Sequence, residues 1–506
     1  MKHSLHYTKT LSTLLMVHCI IMLGLTPSLH AQDTLRPLWS TPITGDGASF
    51  SSDGTKILTF NYEGASIWNA STGAIITTLT GHSMAVCTAT FNPAGDRIVT
   101  ANYDNTAKVW NASTGALIST LTAHSGSVYT ATFNPAGDRI VTASDDSTAK
   151  VWNASTGALV TTLTGHTDRV RTATFNPAGD RIVTASFDST AKVWNASTGA
   201  LISTLTGHSG QVYTATFNPA GDRIVTLSLD NTAKVWNAST GALITTLTMY
   251  SGPVYTATFN PASDRIVTAG NPARVWNAST GALITTLTTN SGPVYTATFN
   301  PAGDRIVTAS WDKTAKVWNA STGTLVTTLT GHTQTVVTAT YNPAGDRIVT
   351  ASGDSTAKVW NASTGALIST LVGHRGSVFT ATYNPAGDRI VTASYNGTAK
   401  VWNVTSTGIS EVITDKGSNS STNIITMSPT PANETVSVRY TTGEHGYTTV
   451  YVTDVFGNRI ATLQQTQMEM GEHSETIPTT NWQSGTYFFV VQTGYTHIVH
   501  TFMVIK

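Results

Sequence analysis

Nine times along this 506-residue chain a tryptophan is followed by asparagine: Trp68, Trp110, Trp152, Trp194, Trp236, Trp276, Trp318, Trp360 and Trp402. Successive spacings are 42 residues, except 40 between Trp236 and Trp276. A period of this length constrains the fold more than composition does, because each repeat must be one supersecondary unit that buries its faces only against its neighbours. Within a repeat the pattern is that of strands. VYTATFNP and DRIVTAS alternate with period two, and TAKVWN and ALISTLT follow. Asn-Pro-Ala-Gly, Ser-x-Asp-x-Thr and Asn-Ala-Ser-Thr-Gly separate them, and these residue types make tight turns. Four strands joined this way predict an antiparallel meander, and radial stacking of such sheets leaves few open edges. The expected fold class is all-β: a closed β-propeller of about nine four-stranded blades, with eight or nine left open.

Only 11% of residues are charged and the net charge is zero. That excludes a nucleic-acid binder driven by phosphate neutralisation. Residues 1–31 stand apart: Lys2 and Lys9 precede an apolar run from Leu11 to Leu25, then Pro27 and the small Ala31. This predicts a signal peptide and Sec-dependent passage through the periplasm. No later stretch is long enough to cross a bilayer. Of two cysteines, Cys19 lies in that leader, so Cys87 has no partner for an intramolecular disulfide.

The repeats over residues 32–414 resemble the WD40-repeat family. Trp-Asn stands where that family has Trp-Asp. Its Gly-His recurs at His82, His166, His208, His332 and His374, with Ala-His at His124, and its turn Asp at Asp104, Asp146, Asp188, Asp230, Asp312 and Asp354. The resemblance implies a structural hydrogen-bonded network within each blade. Its members would be His82, Asp104 and Trp110; His124, Asp146 and Trp152; His166, Asp188 and Trp194; His208, Asp230 and Trp236; and His332, Asp354 and Trp360. Two repeats depart from the pattern: Met249-Tyr250 and Thr289-Asn290 replace Gly-His, and Gly270–Arg274 loses the Asp. Those blades are expected to be the loosest. LWSTPITGDG, from Leu38 to Gly47, reads like the outer-strand words LISTLTGHSG, so an N-terminal strand is expected to complete the blade of Trp402. GISEVIT from Gly408 competes for that place.

Beyond a polar linker, 415–427, residues 428–506 again alternate by two and predict a small β-sandwich. They resemble the C-terminal sorting domain of the type IX secretion system of Bacteroidota. The matching residues are Pro429, Pro431, Asp454, Gly457, Ser484, Gly485, Tyr487 and Lys506. The resemblance implies engagement of the type IX secretion machinery and a secreted or cell-surface destination. Cleavage of the module and release, or attachment to surface lipopolysaccharide, would follow. An ordinary carbohydrate-binding sandwich is the alternative.

No nucleophile-elbow, zinc-protease, P-loop or paired-cysteine motif is present. The repeated histidines lie one blade apart and do not converge, so no metal, cofactor or catalytic site is expected. The recurring Asp-Arg steps, such as Asp138-Arg139, read as surface turn charges. Asn-Ala-Ser, as at Asn111, reads as a turn rather than a glycan acceptor. Asp-Ser-Thr at Asp146, Asp188 and Asp354 resembles the O-glycosylation pattern of Bacteroidota proteins. Specificity must therefore sit where repeats differ. One place is the pair of residues flanking the Val after Gly-His, read as sharing a face two apart. The other precedes the turn Asp. In the WD40 family these positions line the top face around the central channel. The candidates are Tyr103, Tyr129, Arg169, Arg171, Phe187, Tyr213, Tyr255, Tyr295, Trp311, Phe379 and Tyr395, residue types enriched at interfaces. The expected function is a non-enzymatic binding protein for a protein, peptide or glycan. A propeller hydrolase acting on surface polymers and a purely structural envelope subunit are the alternatives.

Overall fold

The structure is a computed structural model that describes residues 34–35, 39–42, 45–61, 64–248, 251–288, 291–395, 397–404, 423–428, 434–442, 446–454, 459–469, 471–493 and 496–504. The leader with Cys19, the dipeptides Met249-Tyr250 and Thr289-Asn290, the GISEVIT segment, and Pro429, Pro431, Gly457 and Lys506 lie outside the described residues. All regular structure among the described residues is β-strand, and no helix there is long and apolar enough to cross a membrane.

The repeats form nine sheets among the described residues; seven are four-stranded antiparallel meanders in chain order, and the last two also take in strands from the N-terminal segment. Blade 3 shows how the sequence does it. Its strands are Val128–Phe133, Arg139–Ser144, Ala149–Asn153 and Leu159–Leu163, numbered first to fourth. Ile140 lies opposite Trp152, and Val141 opposite Val151. Period-two alternation then sends the two pairs to different neighbours. Ile140 and Trp152 pack with Val99, Val109 and Leu121 of blade 2. Val141 and Val151 pack with Val170, Ile182 and Trp194 of blade 4. The second and third strands are thus buried on both faces, which explains the consecutive apolar pairs Ile140-Val141 and Val151-Trp152 within them. Each such side chain contributes roughly 1.5–3 kcal/mol on burial, before ordering costs. The fourth strand is exposed where it begins, at Leu159 and Val160.

Polar bonds reinforce the stacking and correct the reading of the Asp-Arg steps. Arg97 Nη1 of blade 2 donates to the Ala154 carbonyl (3.0 Å) and to Ser155 Oγ (2.9 Å) of blade 3. Arg139 reaches Ala196 and Ser197 of blade 4, and Arg347 reaches Val404 of blade 9. Asp138 is likewise engaged, accepting from Asn134 Nδ2 (2.6 Å). These are inter-blade clamps, not free turn charges; the guanidinium stem is long enough to cross to the next blade, which local sequence does not reveal. The Asn-Ala-Ser-Thr-Gly turn serves the same interface. Asn111 Oδ1 accepts from the Ser113 and Thr114 N–H groups, and Gly115 (φ 69°) sits so close to Thr77 of the preceding blade that no Cβ fits.

Ile57, Trp68 and Ala70 of blade 1 form one core cluster with Val391 and Val401 of blade 9. Blade 9 takes its fourth strand from Trp39–Pro42, antiparallel to Thr398–Asn403 with Trp39 opposite Val401. A second N-terminal pairing has no signal in the repeat pattern: Thr34–Leu35 adds parallel to the outer strand of blade 8, with Thr34 opposite Thr370.

The C-terminal module is two sheets around one core. Asn423–Ser428, Thr435–Thr442 and Gly471–Pro478 form one; Gly446–Asp454, Arg459–Met468, Gly485–Thr493 and Thr496–Val504 form the other. Val436, Val438, Tyr440 and Ile477 of the first meet Val450, Val452, Phe489 and Val491 of the second. The linker boundary expected at 427 is too late. Asn423–Ser428 is already a strand, because its backbone pairs the free edge of Thr435–Thr442, with Met427 opposite Val438.

Candidate functional site

In blade 3 a carboxylate can only accept, so the contact of Asp146 Oδ2 with His124 Nδ1 (2.7 Å) places the imidazole proton on Nδ1. His124 Nε2 then accepts from Thr142 Oγ1 (2.7 Å), whose oxygen accepts from Trp152 Nε1 (2.9 Å). Thr148 Oγ1, the Thr148 N–H and the Ser125 N–H also donate to Asp146. The same series joins Asp104, His82, Thr100 and Trp110; Asp188, His166, Thr184 and Trp194; Asp230, His208, Thr226 and Trp236; and Asp354, His332, Thr350 and Trp360.

Burial penalises charge on Asp354, but bonds from His332 and Thr356 outweigh it and hold its pKa at about 2. Asp104, Asp146, Asp188 and Asp230 are lowered against the same penalty by their His and Thr donors. Burial depresses His82 and His208, and the charges of Lys108 and Lys234 add to it. In those two networks burial thus favours the neutral imidazole beside the carboxylate. The order hydroxyl, imidazole, carboxylate matches a nucleophile with its base and orienter. Thr142, however, is 0% exposed and no substrate reaches it.

Departures from the motif are compensated. In blade 7, Lys316 Nζ meets Asp312 Oδ2 at 2.8 Å, whereas in blade 3 Lys150 bonds Thr162 of the outer strand. In blade 6 the equivalent cation is Arg274, which is buried and donates to the Thr248 carbonyl (2.6 Å). In blade 9, His374 Nδ1 lies 2.9 Å from Thr398 Oγ1.

The places where repeats differ occupy one end of every blade, since the start of the first strand and the end of the second meet across an antiparallel hairpin. A backbone bond ties them: Asp145 N–H donates to the Ser127 carbonyl, Phe187 to Arg169, Trp311 to Pro293 and Tyr395 to Ser377. The simple two-apart reading needs correction. Ser127 precedes the strand, and the register shifts between Val128 and Thr130, so Tyr129 is the extra residue of a β-bulge. Arg171, Tyr213, Tyr295 and Phe379 occupy the same bulge in their blades. Period-two reasoning cannot see an inserted residue. Val128 is fully buried, as the pattern predicts.

Several of these side chains meet. Tyr103 and Tyr129 pack edge to face at 6.1 Å, and the Arg171 guanidinium lies over the Tyr129 ring at 4.5 Å. Tyr129 OH donates to Asp145 Oδ1 (2.6 Å), which also accepts from Arg169 Nε (3.1 Å). Tyr255 and Tyr295 of adjacent blades lie 5.3 Å apart, and Phe379 and Tyr395 5.5 Å. Tyr213 OH donates to the Val254 carbonyl of the next blade. Phe187 is half-buried, while Trp311 and Tyr395 remain 48% and 51% exposed. Asp145, absent from the sequence-derived candidates, couples two of them; its position before the turn Asp was the available signal. Cys87 lies in the same region. Burial pushes its thiol up to about 12 despite the Arg171 charge, which disfavours the thiolate at neutral pH.

In the C-terminal module, Asp454 lies opposite Tyr487 across two strands. Tyr487 packs on Trp482 at 4.8 Å and donates to the Gln483 carbonyl beside Ser484 and Gly485.

The family model described as WD domain, G-beta repeat matches residues 73–111, 115–153, 157–195, 199–237, 281–319, 323–361 and 365–403, together more than half of the chain. The repeat ending at Trp276, which lacks both the His and the turn Asp, falls outside these segments. The model described as secretion system C-terminal sorting domain matches residues 426–506. Among curated proteins no sequence matches. The crystal structure of the computationally designed Ika8 protein aligns with 74% of this chain and 100% of its own at 24% identity and a TM-score of 0.52, a likeness of fold alone. WD40 repeats suggest a protein-interaction scaffold, and the sorting domain indicates type IX secretion to the cell surface or outside. The chain thus belongs to the WD40-repeat family and carries a secretion-system sorting domain behind its repeats.

Proposed function

We propose that this chain is a non-enzymatic binding protein whose nine blades close into one ring and whose loop end recognises an extracellular polypeptide. One observation carries the reading. Residues that repeat are consumed by inter-blade packing, Arg clamps and the His–Asp networks, whereas Tyr, Trp, Phe and Arg that vary between blades gather where the first strands begin. Aromatic and Arg side chains at a desolvated centre account for most of the energy of typical protein interfaces. Export follows from the leader and the sorting module: residues 1–31 direct passage into the periplasm, and the type IX machinery removes the module during transfer to the exterior.

A photo-crosslinking residue placed at Trp311 or Tyr395 tests the binding surface against one at Ile202, which is exposed on the outer strand of blade 4. Adducts with an extracellular polypeptide are expected from positions 311 and 395 and not from 202. The same adduct from 202 alone rules the loop end out.

A further inference from the structure

We propose that Arg171 is the anion-recognising residue of the loop end, and that the bound polypeptide presents an Asp or Glu carboxylate to it. This deepens the binding reading above and rests on it.

The guanidinium is held in place by its surroundings. Its carbon lies 4.5 Å from the centre of the Tyr129 ring, a separation at which the ring face attracts a cation. That ring is itself immobilised. Tyr129 is 7% exposed, its hydroxyl is bonded to Asp145, and Tyr103 packs against it in a T-shaped contact. A guanidinium attracted to a ring face still has five N–H donors with which to bond elsewhere.

Nothing among the described residues pairs with that charge. Asp145 is the obvious candidate, but its Oδ1 already accepts from Tyr129 OH at 2.6 Å and from Arg169 Nε at 3.1 Å. Asp168 turns back onto the Arg169 N–H at 2.7 Å. Arg169 and Asp145 therefore form a neutral pair, and Arg171 is left as a half-buried cation without an ion pair among the described residues. A pre-oriented planar fork is matched by a carboxylate, which accepts two parallel N–H bonds. Half-buried aromatic rings, Tyr103 and Phe187, stand on the loops at the same end of these blades. They suit an acidic side chain flanked by apolar residues better than a uniformly hydrophilic acidic polysaccharide.

The test is a displayed peptide library selected on the full-length chain, followed by affinity measurements on the enriched peptides. An Asp or Glu at a fixed place is expected among them. Arg171→Gln should weaken their binding by about tenfold or more, the scale of one hydrogen bond to a charged group. Arg171→Lys should restore only part, because it keeps the charge and loses the fork. Replacing the peptide acid by its amide should cost the parent protein as much, and the Arg171→Gln variant almost nothing more. An unchanged melting temperature in Arg171→Gln excludes misfolding. Peptides without a shared acid, unchanged affinity in Arg171→Gln, or displacement of the peptides by polygalacturonate would each overturn the assignment. If Trp311→Ala weakens binding and Arg171→Gln does not, the loop end stands and the carboxylate inference falls. Peptides that crosslink only to the outer strands remove both.

Discussion

Arg389 Nη1 lies 3.0 Å from Ser71 Oγ, joining the last blade to the first across 318 positions of sequence. Arg139 makes the same bond to Ser197 between blades 3 and 4, at 3.1 Å. The ends of the repeat array are thus joined by the same kind of bond that joins blades 3 and 4. Arg389→Ala and Arg139→Ala should each destabilise by about 1 kcal/mol if the ring is closed. Deleting residues 34–42 should do more. It bares the edge of Thr398–Asn403, and aggregation by sedimentation velocity is the expected result. A monomeric, equally stable deletion variant would contradict closure by that strand.

Acid should unfold the propeller in two stages, both of the same sign. His82 and His208 have folded-state pKa values below 6.5, so the unfolded chain binds more protons and stability falls as pH drops below that value. The network carboxylates follow. Asp354, lowered from 3.8 to about 2, contributes on the order of 2 kcal/mol above pH 3.8, which is lost as pH falls through 2. Denaturant midpoints measured between pH 8 and pH 2 should decline in both windows, and Asp354→Asn should flatten the lower one.

Blade 7 should depend on its lysine more than the other blades do. Lys316 and Asp312 are each 7% exposed in the side chain and pair at 2.8 Å. Lys316→Met leaves a buried carboxylate without its cation and should cost about 3 kcal/mol. Lys150→Met in blade 3, where His124 serves the Asp, should cost under about 1 kcal/mol. Adding Asp312→Asn to Lys316→Met should recover part of the loss; equal effects in the two blades would refute the compensation.

The repeat period, the strand order within a blade, the Trp39–Pro42 pairing and the members of the His–Asp networks could all be read in the sequence, because each rests on residues that recur at fixed offsets. What stayed hidden depends on distance in space. The reach of Arg97 to Ala154 crosses a blade boundary, the bulge at Tyr129 adds a residue without changing the alternation around it, and the parallel pairing of Thr34 with Thr370 carries no pattern of its own. The place of Asp145 before a turn Asp marks it as a position that varies between repeats, but its bonds to Tyr129 and Arg169 depend on distance in space.

Export should require the sandwich and consume it. Deleting 428–506 should leave the propeller in the periplasm. Mass spectrometry of surface protein should find a start near Gln32 and no peptides from Asn423–Lys506. An intact C-terminus on surface protein would contradict cleavage, and unchanged export of the deletion variant would contradict the sorting role.

The division between a repeated scaffold and a variable recognition surface is tested most directly by measuring stability and affinity on the same variants, with the library-selected peptides as ligands. His166→Ala breaks one network and should lower stability by roughly 1–3 kcal/mol, read as a lower melting temperature, with affinity nearly unchanged. Combined Ala at Arg171, Tyr295 and Trp311 should leave the melting temperature within about 2 °C and weaken binding by about a hundredfold or more. Undiminished affinity in the triple variant, or lost affinity in a folded His166→Ala protein, would contradict the account.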